Sequence, residues 1–184
     1  MSSATSPLRN RSWRRDSFLI STDPSNIPIA RVVDIFASDE FYWAKPLPED
    51  AMKVMLESCL CFALYDTKQS PIKSGTHEEP SAGTLKLIGI ARGITDFTTF
   101  FYLTDVWVDP TYRGQGLGKW LVKCVREVTE SMPHLRKIML ATGDWERTVP
   151  FYESVMDMKV TEGQRGETRA IMERRGRGHP KFGE

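Results

Sequence analysis

Residues 106–121 read V-W-V-D-P-T-Y-R-G-Q-G-L-G-K-W-L, and an arginine followed by three alternating glycines is a spacing that can do chemistry. A β-branched and aromatic run stops at Asp109-Pro110. Arg113, Gly114, Gly116 and Gly118 follow, and then a helical apolar pattern. The first N–H groups of a helix have no partner within it, and the helix dipole makes that end electropositive. Glycines there let an anion reach the bare backbone, so the stretch is built as a phosphate cradle. A Walker loop would need glycine at Arg113 and Ser or Thr at Trp120. The dinucleotide fingerprint would need glycine at Lys119. Both fail, which leaves a cradle of another kind or a glycine-rich turn without a ligand. The second is costly, because glycine at a helix start loses about 0.5–1 kcal/mol against alanine.

A second chemical residue lies just upstream. Asp105 sits in an otherwise apolar run, and a lone carboxylate buried in a strand must be paired or functional. It is a candidate base or proton relay, or else a structural hydrogen-bond partner of the neighbouring strand. Asp144 reads as a helix-entrance cap and a weaker candidate base. His77, His134 and His179 fall in loop or tail, which argues against a Ser-His-Asp or Cys-His triad. Cys59, Cys61 and Cys124 form an odd set on predicted strand and helix, as expected of buried thiols, and no ligands for a metal lie near Cys59-x-Cys61.

The elements that must position these residues follow from periodicity. Residues 18–21 are a short strand ended by T-D-P-S-N. Pro28 opens a helix carrying Ile29, Val32, Val33 and Phe36, and a second helix spans 49–58 with Met52, Met55 and Leu56 on one face. Strands are expected at 60–65, 85–95 and 98–108, the last two as a hairpin about Asp96-Phe97 and apolar on both faces. Residues 67–83 have no periodicity and read as an exposed loop. The helix after the glycines places Leu117, Leu121, Val125 and Val128 on one stripe and ends before Pro133. A buried strand at 137–141, a helix at 149–156 with Thr148 as N-cap, and a hairpin of 159–161 with 170–173 complete the order. An α/β domain with a mixed sheet follows.

At 184 residues, with 40% hydrophobic and 27% charged side chains and a net charge of +1, the chain suits one domain. That charge gives no field for nucleic acid or a membrane surface, and no apolar run approaches the ~20 residues of a bilayer span. Residues 1–15 are rich in Ser and Arg. That bias suits a transit peptide, but without an amphipathic face 1–16 is expected as a disordered basic tail. Residues 175–184 are expected as a second tail, leaving 17–174 as the domain.

The run R-G-x-G-x-G after a V-x-V-x-P strand end resembles the pyrophosphate loop of the GNAT superfamily of N-acetyltransferases. The likeness extends over about 18–173 and includes F-L-I-S-T-D at 18–23, Y-W-A at 42–44, C-F-A-L-Y at 61–65 and Y-L-T-D-V at 102–106, a pattern similar to a subgroup of small, uncharacterised GNAT proteins. It implies a mixed, mostly antiparallel central sheet of six to seven strands flanked by four helices. It implies acetyl-CoA as acetyl donor, without a metal, held by Arg113, Gly114, Gln115, Gly116, Leu117, Gly118 and Lys119. The fourth strand of such proteins separates from its neighbour, which by position carries pantetheine pairing to the backbone of Val106, Trp107 and Val108. Tyr152 fits the slot of the acid that protonates the leaving thiolate. Two departures surround it: the usual Gly-Phe after the helix is here Asp157-Met158, and residues 145–150 lengthen the approach. Tyr42, Trp43 and Trp145 are candidate acceptor walls.

The activity so implied is acetyl transfer from the thioester to a primary amine, directly in a ternary complex. The other reading is a catalytically silent acyl-CoA-binding module, to which Asp157-Met158 lends some weight. The expected acceptor is a small-molecule or protein amine, with no nucleic acid or membrane partner, in a cytoplasmic protein for which a homodimer is the oligomer to test.

Overall fold

The computed structural model describes residues 7–68 and 85–183. Most of the expected 67–83 loop, with His77, lies outside the described residues. Eight strands form one sheet: β1 (Ser12–Arg15), β2 (Phe18–Ser21), β3 (Leu60–Asp66), β4 (Lys86–Thr95), β5 (Phe100–Val108), β6 (Lys137–Thr142), β7 (Lys159–Glu162) and β8 (Ala170–Arg175). Four α-helices accompany them: α1 (Ile29–Ala37), α2 (Glu49–Glu57), α3 (Leu117–Glu130) and α4 (Thr148–Met156). The spatial order is β1-β2-β3-β4-β5-β6-β8-β7. Every neighbouring pair is antiparallel except β5 and β6. The crossover through α3 is what a parallel junction requires.

The alternation of β3 explains why both faces of the sheet are covered. Leu60, Phe62 and Leu64 meet Leu117, Leu121, Val125 and Val128 of α3 in one core. Cys61, Ala63 and Tyr65 meet Val32 and Phe36 of α1 and Met52 and Leu56 of α2 in the other. Successive strand side chains point to opposite faces, so an unbroken apolar strand serves two helix layers. The α3 stripe read from the sequence is buried throughout, and at roughly 1.5–3 kcal/mol per buried aliphatic side chain it is a main fastening of that layer. The expectation for the second hairpin strand was different: β5 alternates between buried and half-buried residues, so one side of it faces a recess.

The eighth strand corrects the expected tail. Residues 7–15 form a short 3-10 turn and β1, which pairs with β2 through a turn with Asp16 at φ +52°. The physical reason is cross-strand anchoring that composition hides. The Trp13 ring stacks 6.1 Å from Phe62, and its Nε1 donates to Glu127 Oε2 at 3.0 Å. Arg9 donates to Cys59 O at 3.2 Å, and Leu8 is buried. Residues 1–6 lie outside the described residues. The other expected tail is also tied down at its start: Arg175 ends β8, Gly176 N donates to Arg136 O at 3.0 Å and Gly178 N to Leu135 O at 2.8 Å. A Cβ on Gly176 or Gly178 would lie 2.3 Å from a carbonyl oxygen, so only glycine permits that approach.

Candidate active site

The sheet is split at its one parallel junction. β5 and β6 pair over three positions, Phe100↔Lys137 to Tyr102↔Met139. Beyond them β5 continues beside β4 and β6 beside β8, and no ladder joins the two. A bulge on β5 accompanies the parting. Ile90 pairs with Trp107 but Arg92 with Thr104, so Asp105 and Val106 together oppose Ala91. Asp105 takes φ +51°, a left-handed conformation that aspartate tolerates better than most side chains. The inserted residue bends the strand and resets its alternation. Phe101, Leu103, Val106 and Val108 face the α3 core, while Trp107 faces the core under α1 and α2.

The Asp105 carboxylate fastens this bulge. It is 6% exposed. Arg92 Nε donates to Oδ2 at 2.6 Å, and Trp43 Nε1 and the Thr104 hydroxyl donate to Oδ1 at 3.2 and 3.3 Å. Arg92 also reaches Cys59 Sγ at 3.3 Å. Burial alone would lower the guanidinium pKa, but Asp105 and Cys59 beside it outweigh that and raise it. The neighbouring Cys61 thiol is pushed up to about 12, chiefly by burial, so it is inert as a nucleophile at neutral pH. Among the described residues no group of three or more His, Cys, Asp or Glu is placed to hold a metal.

The glycine loop stands where β5 runs out. Asp109 caps the 3-10 turn Pro110–Tyr112, and α3 then begins from Gly116 at φ +70°. Trp120 N, bonded to Gly116 O at 3.0 Å, is the first helical N–H with a carbonyl one turn before it. Those of Leu117, Gly118 and Lys119 precede it and lack one by helix geometry. Gly114, at φ +82°, would meet nothing within 4 Å of an added Cβ, so the backbone lies open to a ligand. Arg113 pairs with Glu40 at 2.5 Å on an exposed surface, a contact of small worth. The loop is braced by Arg15 of β1, which donates to Gln115 O at 3.0 Å and lies 4.8 Å over the Trp120 ring.

A cavity of about 380 Å³ occupies the split, lined by Tyr42, Trp43, Asp105, Val106 and Tyr152 among others. A larger recess of about 540 Å³ lies at the β7–β8 edge, by Lys159, Glu173 and Phe182. It does not touch the split, so the smaller cavity is the candidate site. Tyr152 is 9% exposed, and burial raises its phenol pKa above the ordinary value, which keeps it protonated at neutral pH. Its helix ends as a glycine would end it. Asp157 adopts φ +53° and its N–H bonds back to Tyr152 O, and Met158 is buried.

Of the expected walls, Tyr42 and Trp43 line the cavity, and Tyr42 is 82% exposed. Trp145 does not. Its Nε1 donates to Thr168 O at 2.7 Å, so it pins the β7–β8 loop instead. Thr148 is the first residue of α4 rather than its N-cap; the cap position is Arg147, and Asp144 Oδ1 organises the turn before it, accepting from the N–H of Glu146 and of Arg147 at 3.1 and 2.9 Å. Sequence reasoning missed Arg92 as the partner of Asp105, Arg15 as the brace and Arg169 as a lining residue. Only Ala91-Arg92, in a strand already read as buried, carried a signal, since a buried cation demands a counter-charge.

Set against known proteins, the Acetyltransferase (GNAT) family model matches residues 32–158. A Gibberella zeae protein named as an acetyltransferase is 34% identical over 170 residues, 92% of this chain and 96% of its own. A solved structure from Xanthomonas campestris pv. campestris, described as a GNAT-family acetyltransferase, is 27% identical with a TM-score of 0.55, over 76% of this chain and 84% of that one. A spermidine N-acetyltransferase from Vibrio cholerae, solved with CoA and spermine, has a TM-score of 0.61 over 88% of this chain and 96% of its own; at 12% identity the likeness is one of fold.

Proposed function

Because this chain belongs to the Acetyltransferase (GNAT) family, we propose that it moves an acetyl group from acetyl-CoA to a primary amine, directly, with both substrates bound. The observation that carries this is the parting of β5 from β6 beside an open helix N-terminus, with Tyr152 in the same cavity. The loop fits a pyrophosphate, since its glycines leave the approach open and the first N–H groups of α3 are unclaimed. The backbone of residues 106–108 is paired with β4 on one side and with no strand on the other, and that open side fits an extended pantetheine arm, which would add as a strand. A backbone N–H there can stabilise the oxyanion as the amine adds to the carbonyl.

The carbon–sulfur bond then breaks and the thiolate takes a proton, which Tyr152 donates. A buried phenol stays protonated at neutral pH and so can donate to the departing thiolate, whose own pKa is near 8.5; the proton it gives up is recovered from the same waters that take the amine's proton. The amine loses its own protons through water. Asp105, with both oxygens occupied, acts as the anchor of the bulge and not as the base. The silent-module reading leaned on Asp157-Met158, and the left-handed helix end formed by Asp157 removes that support.

Acetyl-CoA should raise the melting temperature by linkage, and Gly116→Asp, which places a carboxylate at φ +70° beside the phosphates, should abolish the rise without unfolding the protein. Thiol release over an amine panel then tests transfer. An unchanged rise in the variant would dispose of the cradle, and release that never exceeds hydrolysis would dispose of the transfer.

A further inference from the structure

Among the described residues the cavity is lined by three charged side chains, Asp105, Asp144 and Arg169. Both carboxylates are already compensated. Asp105 is paired with Arg92, and Asp144 accepts two backbone N–H bonds in the turn before α4 and lies 4.0 Å from Arg147. The nearby cations are compensated too: Arg165 pairs with Glu146, and Arg174 with Glu130 at 2.8 Å. Arg169 differs from them, because no carboxylate or hydrogen-bond acceptor among the described residues meets its guanidinium. Arg169, an exposed residue, is therefore the one charge of the lining without a protein partner among the described residues.

That charge is mounted on a built wall. Ala170 pairs with Thr142 in the β6–β8 ladder, which sets Arg169 beside the end of β6, on one side of the split. The preceding residue is held twice, by Trp145 Nε1 on Thr168 O and by Gln164 N on the Thr168 hydroxyl at 2.8 Å. Gly163, at φ +119°, closes the same loop, where a Cβ would come within 2.3 Å of Arg169 O. The backbone is fixed and the long side chain is left to reach.

We propose that Arg169 selects the acceptor, and that the amine taken by this cavity carries a carboxylate or phosphate. A guanidinium presents two parallel N–H groups to such an oxyanion, and the bidentate pair orients the amine as well as holding it. Tyr42 and Trp43 offer aromatic surface to the carbon skeleton between the two ends. A polycationic amine would meet an uncompensated like charge instead. This assignment rests on the transfer reading above.

The test uses matched pairs that differ in the anion alone: L-lysine against cadaverine, and glucosamine 6-phosphate against glucosamine, with spermidine as a polycation. In thiol-release assays the anionic member of at least one pair should be favoured roughly ten- to a hundredfold in kcat/KM, through KM, as expected for a charged hydrogen-bonded pair. Which pair responds separates carboxylate from phosphate. Arg169→Gln should erase the preference by raising KM for the anionic member, with the acetyl-CoA melting rise unchanged, and Arg169→Lys should restore part of it.

Equal use of both members, preference for spermidine, or a preference that survives Arg169→Gln would overturn the assignment. Calorimetric binding of the same probes to the CoA-saturated protein keeps the two readings apart. If no amine is acetylated, the transfer reading fails, while anion-selective binding lost in Arg169→Gln still supports the role of Arg169. No binding of any anionic probe overturns it.

Discussion

Replacing Asp105 by asparagine separates an anchor from a base. Asparagine tolerates φ +51° as aspartate does, and its side-chain oxygen can still accept from Trp43 Nε1 or Arg92. What it removes is the charge opposite a guanidinium only 13% exposed. A hydrogen bond to a charged group contributes about 1.5–3 kcal/mol, so the loss should fall in that range. For a chain of this size that lowers the melting temperature by roughly 3–12 °C, at about 2–4 °C per kcal/mol. Asp105→Ala is harsher. It strands Arg92, at about 3–5 kcal/mol, and puts alanine in the left-handed region for about 1–2 kcal/mol more, a sum that rivals the stability of a typical domain.

The assay is thermal unfolding of Asp105→Asn, Arg92→Met and the double variant, with acetyl transfer measured well below each transition. If Asp105 is the anchor, the double variant costs less than the two single ones together. The asparagine variant then turns over within about tenfold of wild type, with the acid limb of its pH profile unmoved. An unchanged melting temperature together with a 10²–10⁴-fold loss of turnover would refute this and make Asp105 the base.

Tyr152→Phe keeps the ring packed and removes the proton donor, so turnover should fall about 10²–10⁴-fold with acetyl-CoA affinity held within a few-fold; wild-type turnover with chemistry rate-limiting would make it a packing residue. Because burial raises the phenol pKa, its contribution to stability is complete below the unfolded value near 10 and is lost only as pH rises beyond it. No alkaline fall in rate below about pH 10 should therefore belong to Tyr152, and one that vanishes in Tyr152→Phe at lower pH would contradict its burial. Trp13→Ala removes a half-buried ring and its bond to Glu127, and should cost roughly 2–3 kcal/mol in denaturant unfolding; no change would return residues 12–15 to a tail.

The α3 stripe was legible from its helical period, and the strands at 60–66, 86–95 and 137–142 from continuous apolar runs bounded by turn residues. The glycine loop was legible because Gly114 and Gly116 do what only glycine does cheaply there, taking φ +82° and +70°. β1 was not. Ser12-Trp13-Arg14-Arg15 has the composition of a solvated tail, and its order comes from Phe62, Glu127 and β2, all distant in sequence. Asp105 was visible as an anomaly, but its partner was not, because the bulge that brings Arg92 and Trp43 to it is a property of register. Trp145 was read as a wall on aromatic character alone, and the hairpin loop it pins could not be placed without β7 and β8.

The split between β5 and β6 gives the sheet four edges where an open sheet has two. The outer ones are blunted in the usual way: β1 is four residues long and carries Arg14 and Arg15, and β7 carries Lys159 and Glu162. The inner ones run along Leu103–Val108 and Leu140–Thr142, and their one charged residue, Asp105, is turned to its pairing with Arg92. Their protection is depth, since helices cover both layers and a foreign strand must enter end-on. A narrow extended molecule fits such a slot where the broad edge of a neighbouring sheet does not.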